Sequence, residues 1–267
     1  MNRITILPSI VLLSTTLGCM HGYPKMNQSV AGNPIDAWAK VLNDYVNEDG
    51  QVDFNRLKKE PEALLEYLNH VAVKSNTDAN FASVNHRLAF SINSYNAAAM
   101  YAVIRRNIPE SNSGLLSRLR FFYLDKYRIG NKPQSLFAYE RMIRSLGDER
   151  VHFALNCMSV GCPHLPKEPF TGIDLDVELD REARLFFASR EMLVVDHVNQ
   201  RVRVSEILKL YTPEFLMKKP SLIDYINQYL TKPIPCHFEV SFLTYDWTIN
   251  NSSANDYAGP LQRVVYQ

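Results

Sequence analysis

The sequence predicts one α+β domain, in which a central helix packs on a small, mostly antiparallel sheet. Two observations lead to this fold class. Helical and strand-like patterns mix along the chain without the regular strand–helix alternation of a parallel α/β sheet. In addition, no repeat, low-complexity run or linker interrupts the chain after residue 34. We therefore assign residues 34–252 to the domain and residues 253–267 to a C-terminal tail.

Apolar residues at helical spacing predict three helices in the first part of the domain. Pro34 opens the first helix, Pro61 to Val73 forms the second, and the longest runs from about Val84 to Asn107. Because the longest pattern is apolar over many turns, we expect this helix at the centre of the core.

The second part of the domain mixes strands and helices. The stretch Arg118 to Lys132 favours strands, Val151 to Asn156 predicts a short buried strand, and Leu193 to Val204 predicts a hairpin. Further elements are expected as helices over Leu136 to Leu146, over Asp174 to Arg190 and near Ser205, Pro213 and Pro220, followed by a last strand over His237 to Tyr245.

Composition and charge exclude several classes of protein. The 267 residues are 46% hydrophobic, with 29 basic and 28 acidic side chains. This composition is that of a globular domain rather than of a disordered or collagen-like chain. The formal charge of +1 gives no general attraction for nucleic acid, and Arg105-Arg106 and Lys218-Lys219 are too short to form a basic patch by themselves. Nucleic acid is therefore not an expected partner.

The N-terminus resembles a bacterial lipoprotein leader. Arg3 precedes an apolar run of about 14 residues, which is shorter than a transmembrane helix needs. Thr16-Leu17-Gly18-Cys19 ends the run like a lipoprotein processing site, although Thr16 stands where leucine is usual. We expect cleavage of residues 1–18, acylation of Cys19, a tether over residues 19–33, and a membrane anchor on the periplasmic side of the envelope, as for an outer-membrane lipoprotein. Ordinary signal cleavage nearby is the alternative.

The densest group of reactive residues lies between His152 and His164. In a strand, His152 and Cys157 would face opposite ways, whereas Cys162, in the following loop, could fold back towards His152. This predicts Cys162 as a nucleophile with His152 as its base. A structural Cys157–Cys162 disulfide, a dithiol redox pair and a zinc site that includes His164 remain alternatives. Cys236 has no evident partner and is expected to be a buried thiol.

Four other polar residues are candidates for supporting roles. Asn93 and Asn96 share one stripe of the long helix, where they could donate to an oxyanion or fix a neighbouring segment of backbone. Glu140 could orient an imidazole or pair with Arg144 one helical turn away. Asp246 could orient an imidazole or cap a turn.

Several segments, in the same order, resemble the family catalogued as domain of unknown function 547. They span about residues 35–252, with Phe54 and Ser91 departing from the family's usual aromatic residues. Because the family has no established activity, the resemblance implies no reaction. The matching segments are Val52-Asp53-Phe54, Ser91 to Ala97, Ser135 to Glu140, His152 to Pro163, and Tyr245-Asp246-Trp247 with Asn250.

A weaker similarity relates the helix from Asn93 to Glu110 to the core helix of transglutaminase-like and papain-like proteins. In those enzymes the helix begins with the catalytic cysteine, whereas Asn93 or Ser94 stands there in this chain. The similarity implies that Cys162 supplies the thiol from another loop or that the site has no nucleophile.

Two functions follow. The first is a cysteine-dependent hydrolase or acyl transferase acting on peptide-type or cell-wall-type amides, with Cys162, His152, Glu140 or Asp246, and Asn93 or Asn96 in the roles above. The second is a non-catalytic envelope protein that binds a peptide or partner near Asn93, Asn96 and His152 and carries a Cys157–Cys162 disulfide. No nucleotide-binding or metalloprotease motif occurs, so no cofactor or metal is expected.

Overall fold

A computed structural model describes residues 20–21, 23, 32–74 and 80–252 of the chain. Cys19, the predicted leader 1–18, most of the tether and the tail 253–267 lie outside the described residues. Over the described residues the chain has the predicted α+β fold, with helices around two small sheets. None of the described helices is both long and apolar enough to cross a bilayer.

Four helices form the first part of the fold, after the two-residue strand β1 (Met20–His21). Side chains of Asn33, Asp53 and Ser83 cap the first, second and fourth of them by accepting backbone N–H bonds. The fourth is buried almost all round between Leu88 and Ile104, which confirms it as the central helix. These helices are α1 (Pro34–Tyr45), α2 (Phe54–Lys59), which the sequence analysis missed, α3 (Glu62–Val73) and α4 (Val84–Arg105).

The middle of the chain contains the first sheet. Helix α5 (Leu115–Leu119) continues into a π-helical turn (Arg120–Leu124), so the strand prediction for Arg118 to Lys132 is wrong before Lys126. Strand β2 (Lys126–Ile129) pairs in parallel with β1 and antiparallel with β3 (Lys132–Gln134). Helix α6 (Leu136–Arg144) follows, as predicted.

The segment predicted as a buried strand is helical instead. A 3₁₀ helix spans Glu149–Phe153, and the Asp148 side chain caps it by accepting the Arg150 N–H at 2.9 Å. Side chains in a 3₁₀ helix do not alternate between two faces as they do in a strand. The prediction that His152 and Cys157 face opposite ways therefore has no basis.

The last part of the chain builds the second sheet. Strand β4 (Leu193–Asp196) pairs antiparallel with β5 (Arg201–Ser205), which pairs in parallel with β6 (Glu239–Leu243). Both sheets are therefore mixed. The helices of this part are α7 (Leu175–Ala188), α8 (Glu206–Leu210), α9 (Thr212–Leu216) and α10 (Leu222–Asn227).

The buried side chains form two clusters that meet at the 3₁₀ helix. The larger surrounds α4 and includes Val151, Ala154 and both buried cysteines, Cys157 and Cys162. Phe153 belongs to the smaller cluster, between α7, the second sheet and α8–α10. The segment with the reactive residues thus lies where the two halves of the core join.

Candidate functional site

Two cysteines meet in a loop that we call the cysteine loop, residues 157–162. Both side chains are buried, and their Sγ atoms lie 2.8 Å apart. The structure has them as free cysteines, in contact but without the ~2.05 Å bond of a disulfide. The Cys157 N–H also donates to the Cys162 sulfur, at 3.0 Å. Each sulfur is thus the nearest polar partner of the other.

The hydroxyl of Tyr245 covers the two sulfurs. It lies 3.2 Å from the Cys157 Sγ and 3.0 Å from the Cys162 Sγ, and the Ser159 hydroxyl is 3.6 Å from the Cys157 Sγ. Tyr245 is itself packed against Trp247, with ring centroids 4.4 Å apart. Among the described residues, neither sulfur forms a hydrogen bond with an imidazole.

Backbone hydrogen bonds hold the cysteine loop against the chain segment after β6. The Val160 N–H donates to Thr248 and the Gly161 N–H to Asp246, each at 2.8 Å. A Cβ on residue 161 would lie 2.9 Å from the backbone N and O of Asp246. Glycine at 161 therefore permits the close approach that brings Cys162 under Tyr245.

Two asparagines fix the chain on the other side of the loop. Asn96, on α4, donates to the Ala154 carbonyl at 3.0 Å and accepts the Asn156 N–H at 2.8 Å. The Asn156 side chain in turn accepts the Met158 N–H and donates to the Pro163 carbonyl, each at 2.7 Å. Both ends of the loop are therefore tied to the central helix by buried amides.

The contact between the two thiols gives them different pKa values. The hydrogen bond from Cys162, with those from Tyr245 and Ser159, lowers the pKa of Cys157 to about 7. Burial and the neighbouring Cys157 raise the pKa of Cys162. In the reduced protein the pair therefore loses one proton near neutral pH and retains the other.

A second polar cluster surrounds His152. Its Nε2 lies 2.9 Å from a carboxylate oxygen of Glu214, and its ring stacks on Tyr211 with centroids 3.8 Å apart. Arg144 donates two hydrogen bonds to the other oxygen of Glu214. The hydrogen bonds from His152 and Arg144 lower the pKa of Glu214 to about 2, so this carboxylate is ionised over the physiological range.

Glu140 extends this cluster towards the cysteines. It accepts a hydrogen bond from the Tyr211 hydroxyl at 2.5 Å and lies 3.7 Å from the Arg144 guanidinium. Burial and the charge of Glu140 raise the pKa of Tyr95, and the negative charge of Cys157 adds to this effect. The pKa of Tyr95 therefore responds to the charges of both Glu140 and Cys157.

The His152 cluster borders a surface cleft of about 640 Å³. Arg144 and Glu214 form part of its wall, with Arg141 and Lys218 nearby and Phe137 as an apolar surface. The cleft thus offers positive, negative and apolar groups to a ligand.

The predicted site residues separate into those that the fold brings together and those that it does not. Cys157 and Cys162 are in contact, but His152 pairs with Glu214 rather than with Glu140 or Asp246. The Asp246 carboxylate accepts the Thr248 N–H at 2.9 Å, which caps a turn. The catalytic roles remain predictions.

The Asn93 side chain joins two other segments of the chain to the central helix. It accepts the Trp38 Nε1–H at 3.2 Å and exchanges two backbone hydrogen bonds with Phe170, at 2.8 and 3.0 Å. The Asn93 and Asn96 side chains are each 1% exposed, so neither amide lines the cleft. The expectation that Asn93 and Asn96 line a binding pocket stays a prediction.

Two further expectations concern cysteine and histidine ligands. Cys236 is exposed rather than buried, because it lies in the turn before β6. His164 lies 3.3 Å from the buried Glu182. Among the described residues, no group of three or more His, Cys, Asp or Glu side chains could hold a metal ion.

Sequence reasoning missed Tyr245, Tyr211 and Glu214. Tyr245 stands in a segment that was singled out, but its neighbour Asp246 drew attention as the charged residue. Tyr211 and Glu214 follow a short helix without a motif, and only the fold brings them to His152.

Fold and site define an α+β protein with a buried cysteine pair beneath a tyrosine hydroxyl. Residues 80–187 are similar to the family described as "Protein of unknown function, DUF547". The matched segment contains α4 and the cysteine loop but ends before Glu214 and Tyr245. No curated protein and no solved structure matches the chain, and the papain-like similarity therefore has no support from these comparisons.

Proposed function

We propose that this protein is an exported, lipid-anchored envelope protein that binds a peptide-type partner in the cleft beside His152 and is stabilised by a Cys157–Cys162 disulfide. The mutual contact of the two sulfurs supports the disulfide, which separates this proposal from an enzymatic one. At 2.8 Å each thiol faces the other, and the Tyr245 hydroxyl lies within hydrogen-bond distance of both sulfurs. This arrangement favours joining the sulfurs over attack on a substrate.

Disulfide formation in the exported protein needs an oxidant. A disulfide-bearing oxidoreductase of the exporting compartment would accept two electrons and two protons from Cys157 and Cys162, which leaves one S–S bond in this chain. The thiolate of Cys157 would attack first, because its pKa is lowered to about 7 by the hydrogen bond from Cys162. Cys162 would then resolve the mixed disulfide.

The cleft suits a peptide because its groups are varied. Arg141 is exposed at the rim of the cleft and can donate hydrogen bonds to a carboxylate, while Phe137 offers an apolar surface. The Glu214 carboxylate is held in place by Arg144 and His152, so it can act as a fixed acceptor for an amide or ammonium group.

The cysteine state is tested on protein purified without reductant from the compartment to which it is exported. After alkylation of free thiols, we expect the intact mass to show Cys236 as the modified cysteine of the folded domain, with the other two joined. Alkylation of both Cys157 and Cys162 before reduction would contradict the disulfide.

The binding site is tested with a random peptide library displayed on phage. We expect enriched peptides to lose affinity for the variants Arg141→Gln and Phe137→Ala but to bind Cys162→Ala normally. Arg190→Gln is a charge-matched control on an exposed turn. If no peptide is enriched over an unrelated protein, the cleft is not a peptide site.

The export and anchor are tested separately by metabolic labelling with an alkyne fatty acid. The label should appear on the wild-type protein and be absent from Cys19→Ser. An unlabelled wild-type protein would contradict the anchor and leave the cleft and the disulfide unaffected.

One observation favours a second candidate, a cysteine-dependent hydrolase or acyl transferase. The pKa of Cys157, lowered to about 7 by Cys162, gives a nucleophilic thiolate at neutral pH, and the carboxylate of Glu214 orients the His152 imidazole. Cys157, rather than Cys162, would pass its thiol proton to the imidazole and attack the carbonyl carbon. The amine would leave with that proton, and water or a second amine would then cleave the thioester and restore the thiol. Rapid labelling of the reduced protein by a peptide vinyl sulfone, lost in both Cys157→Ala and His152→Ala, would favour this candidate.

A further inference from the structure

One segment of the chain is rich in basic side chains. Between Arg105 and Lys132 there are seven basic and two acidic side chains, although the formal charge of the whole chain is only +1. The fold brings the ends of this segment together around a cavity of about 370 Å³, lined by Arg105, Arg106, Arg120, Asp125 and Tyr127. The segment therefore forms a local positive surface.

Neutral groups hold the half-buried guanidinium of this surface. Arg106 donates to the Asn112 side chain at 3.0 Å and to the Ser117 hydroxyl at 2.7 Å. Burial lowers its pKa. Asp125, at the same cavity, counteracts part of the charge of Arg106. Three arginines line the cavity with this one carboxylate, so an anion that entered it would compensate the remaining positive charge.

Exposed apolar side chains lie beside the positive surface. Helix α5 and the π-helical turn expose five large apolar residues within ten positions, out of fifteen in the described chain. Leu115 and Leu116 are the most open, at 78% and 68% exposed. We call these residues, together with Arg105, Arg118, Arg120 and Lys126, the basic-apolar face; its apolar members are Leu115, Leu116, Leu119, Tyr123 and Leu124.

The first described residues of the chain run along this face. In the parallel pairing of β1 with β2, Met20 stands opposite Lys126. Lys126 also donates to the Tyr123 carbonyl, at 2.9 Å, which links β2 to the π-helical turn. Cys19 directly precedes Met20 in the sequence, so the proposed acylation point is one residue from the edge of the basic-apolar face.

We propose that the basic-apolar face rests on an anionic phospholipid bilayer, with its leucines among the headgroups and its arginines on the lipid phosphates. The inference rests on the proposed acylation of Cys19 for its biological setting. Basic residues next to exposed apolar ones match the two components of an anionic interface. A basic patch adds to the membrane affinity that a lipid anchor supplies, and the proposed anchor at Cys19 would be joined here by such a patch.

The face is tested without the lipid and without the predicted leader, on residues 19–267 carrying Cys19→Ser. The probe is vesicles of phosphatidylglycerol and phosphatidylethanolamine, compared with vesicles of phosphatidylcholine, in a sedimentation assay. We expect salt-sensitive binding to the anionic vesicles and little to the neutral ones. Equal binding to both kinds of vesicle, or binding to neither, would overturn the proposal, as would tighter binding to duplex DNA at the same salt.

Paired variants separate charge and apolar contributions. Arg105→Gln with Arg120→Gln should weaken binding to anionic vesicles by about fivefold for each cation removed. Arg184→Gln with Arg201→Gln removes equal charge from exposed positions elsewhere and should leave binding nearly unchanged. Leu115→Ser with Leu116→Ser should also weaken binding, against Ile173→Ser with Val198→Ser as the exposed apolar control. Equal effects of test and control pairs would overturn the proposal.

The outcomes are distinct from those of the labelling experiment. Vesicle binding by Cys19→Ser supports the face whether or not the wild-type protein incorporates fatty acid. Incorporation without vesicle binding would leave the anchor in place and remove the face.

Discussion

The hydroxyl of Tyr245 lies 3.2 Å from the Cys157 sulfur, and the two residues are 88 positions apart in the sequence. The same hydroxyl lies 3.0 Å from the Cys162 sulfur. Tyr245, which follows the last strand of the second sheet, thus covers both cysteine sulfurs.

This contact predicts the effect of Tyr245→Phe on thiol acidity. The hydroxyl donates to the Cys157 thiolate and stabilises it, so its removal should raise the pKa of Cys157 above about 7 in the reduced protein. The measurement is ultraviolet absorbance of the thiolate against pH. Tyr123→Phe, at an exposed position, should leave the titration unchanged. A pKa that stays the same or falls in Tyr245→Phe would show that the hydroxyl does not stabilise the thiolate.

Gly161→Ala should destabilise the fold. The new methyl group would lie 2.9 Å from two backbone atoms of Asp246, which side-chain movement cannot relieve. We expect a loss of about 1–3 kcal/mol in the free energy of unfolding, measured by urea denaturation. Gly114→Ala is the matched control, because the nearest atom to its new methyl group is 3.8 Å away. Equal stability of the two variants would mean that the loop moves away without cost.

Asn96→Ala should loosen the cysteine loop. It removes a donor and an acceptor that serve Ala154 and Asn156, and it leaves their backbone groups buried and unpaired. The expected loss is about 2–4 kcal/mol of unfolding free energy, together with faster hydrogen exchange at Asn156. Asn43→Ala, on the exposed side of α1, should cost far less. Unchanged exchange at Asn156 would contradict the role of Asn96.

Glu214 should contribute a stability that disappears in acid. Its pKa is lowered from 4.5 to about 2 in the folded protein, mainly by the hydrogen bond with His152. The folded state therefore binds fewer protons than the unfolded state between these pH values, and stability falls as the pH drops from about 4.5 towards 2. We expect this loss to reach about 2 kcal/mol, after allowance for partial exposure, and to be reduced in Glu214→Gln.

Thermal unfolding measured at several pH values between 2 and 6 tests this prediction. Glu191→Gln, at an exposed position before β4, serves as the control and should keep the wild-type slope. The same slope in Glu214→Gln as in the wild-type protein would show that other carboxylates cause the acid loss.

The sequence predicts the central helix α4 correctly, but it predicts a strand where the structure has the 3₁₀ helix Glu149–Phe153. Helix α4 repeats its apolar pattern over 22 residues and has a serine cap, so period and boundary agree. The stretch Val151 to Asn156 is too short for its period to separate a strand from a buried helical turn. The Asp148 cap and the Asn96 amide decide in favour of the turn.

The candidate site was predictable only in part. Cys157 and Cys162 are close in sequence, and their proximity follows from a short loop. The partner of His152, by contrast, is Glu214, 62 residues further along, and it reaches the imidazole through the packing of α9 on the smaller core cluster. Local sequence patterns do not encode such a long-range contact.

The backbone hydrogen bonds between the cysteine loop and residues 246–250 affect the order in which the fold can form. In the proposed export, a chain that crosses the membrane from its N-terminus would bring both thiols into the oxidising compartment before Tyr245 and the strand that precedes it. Until that segment arrives, the sulfurs lack their cover and remain open to an oxidant. The pair therefore has an early period of free access that ends when the last strand joins the sheet, and contacts this distant in sequence form slowly.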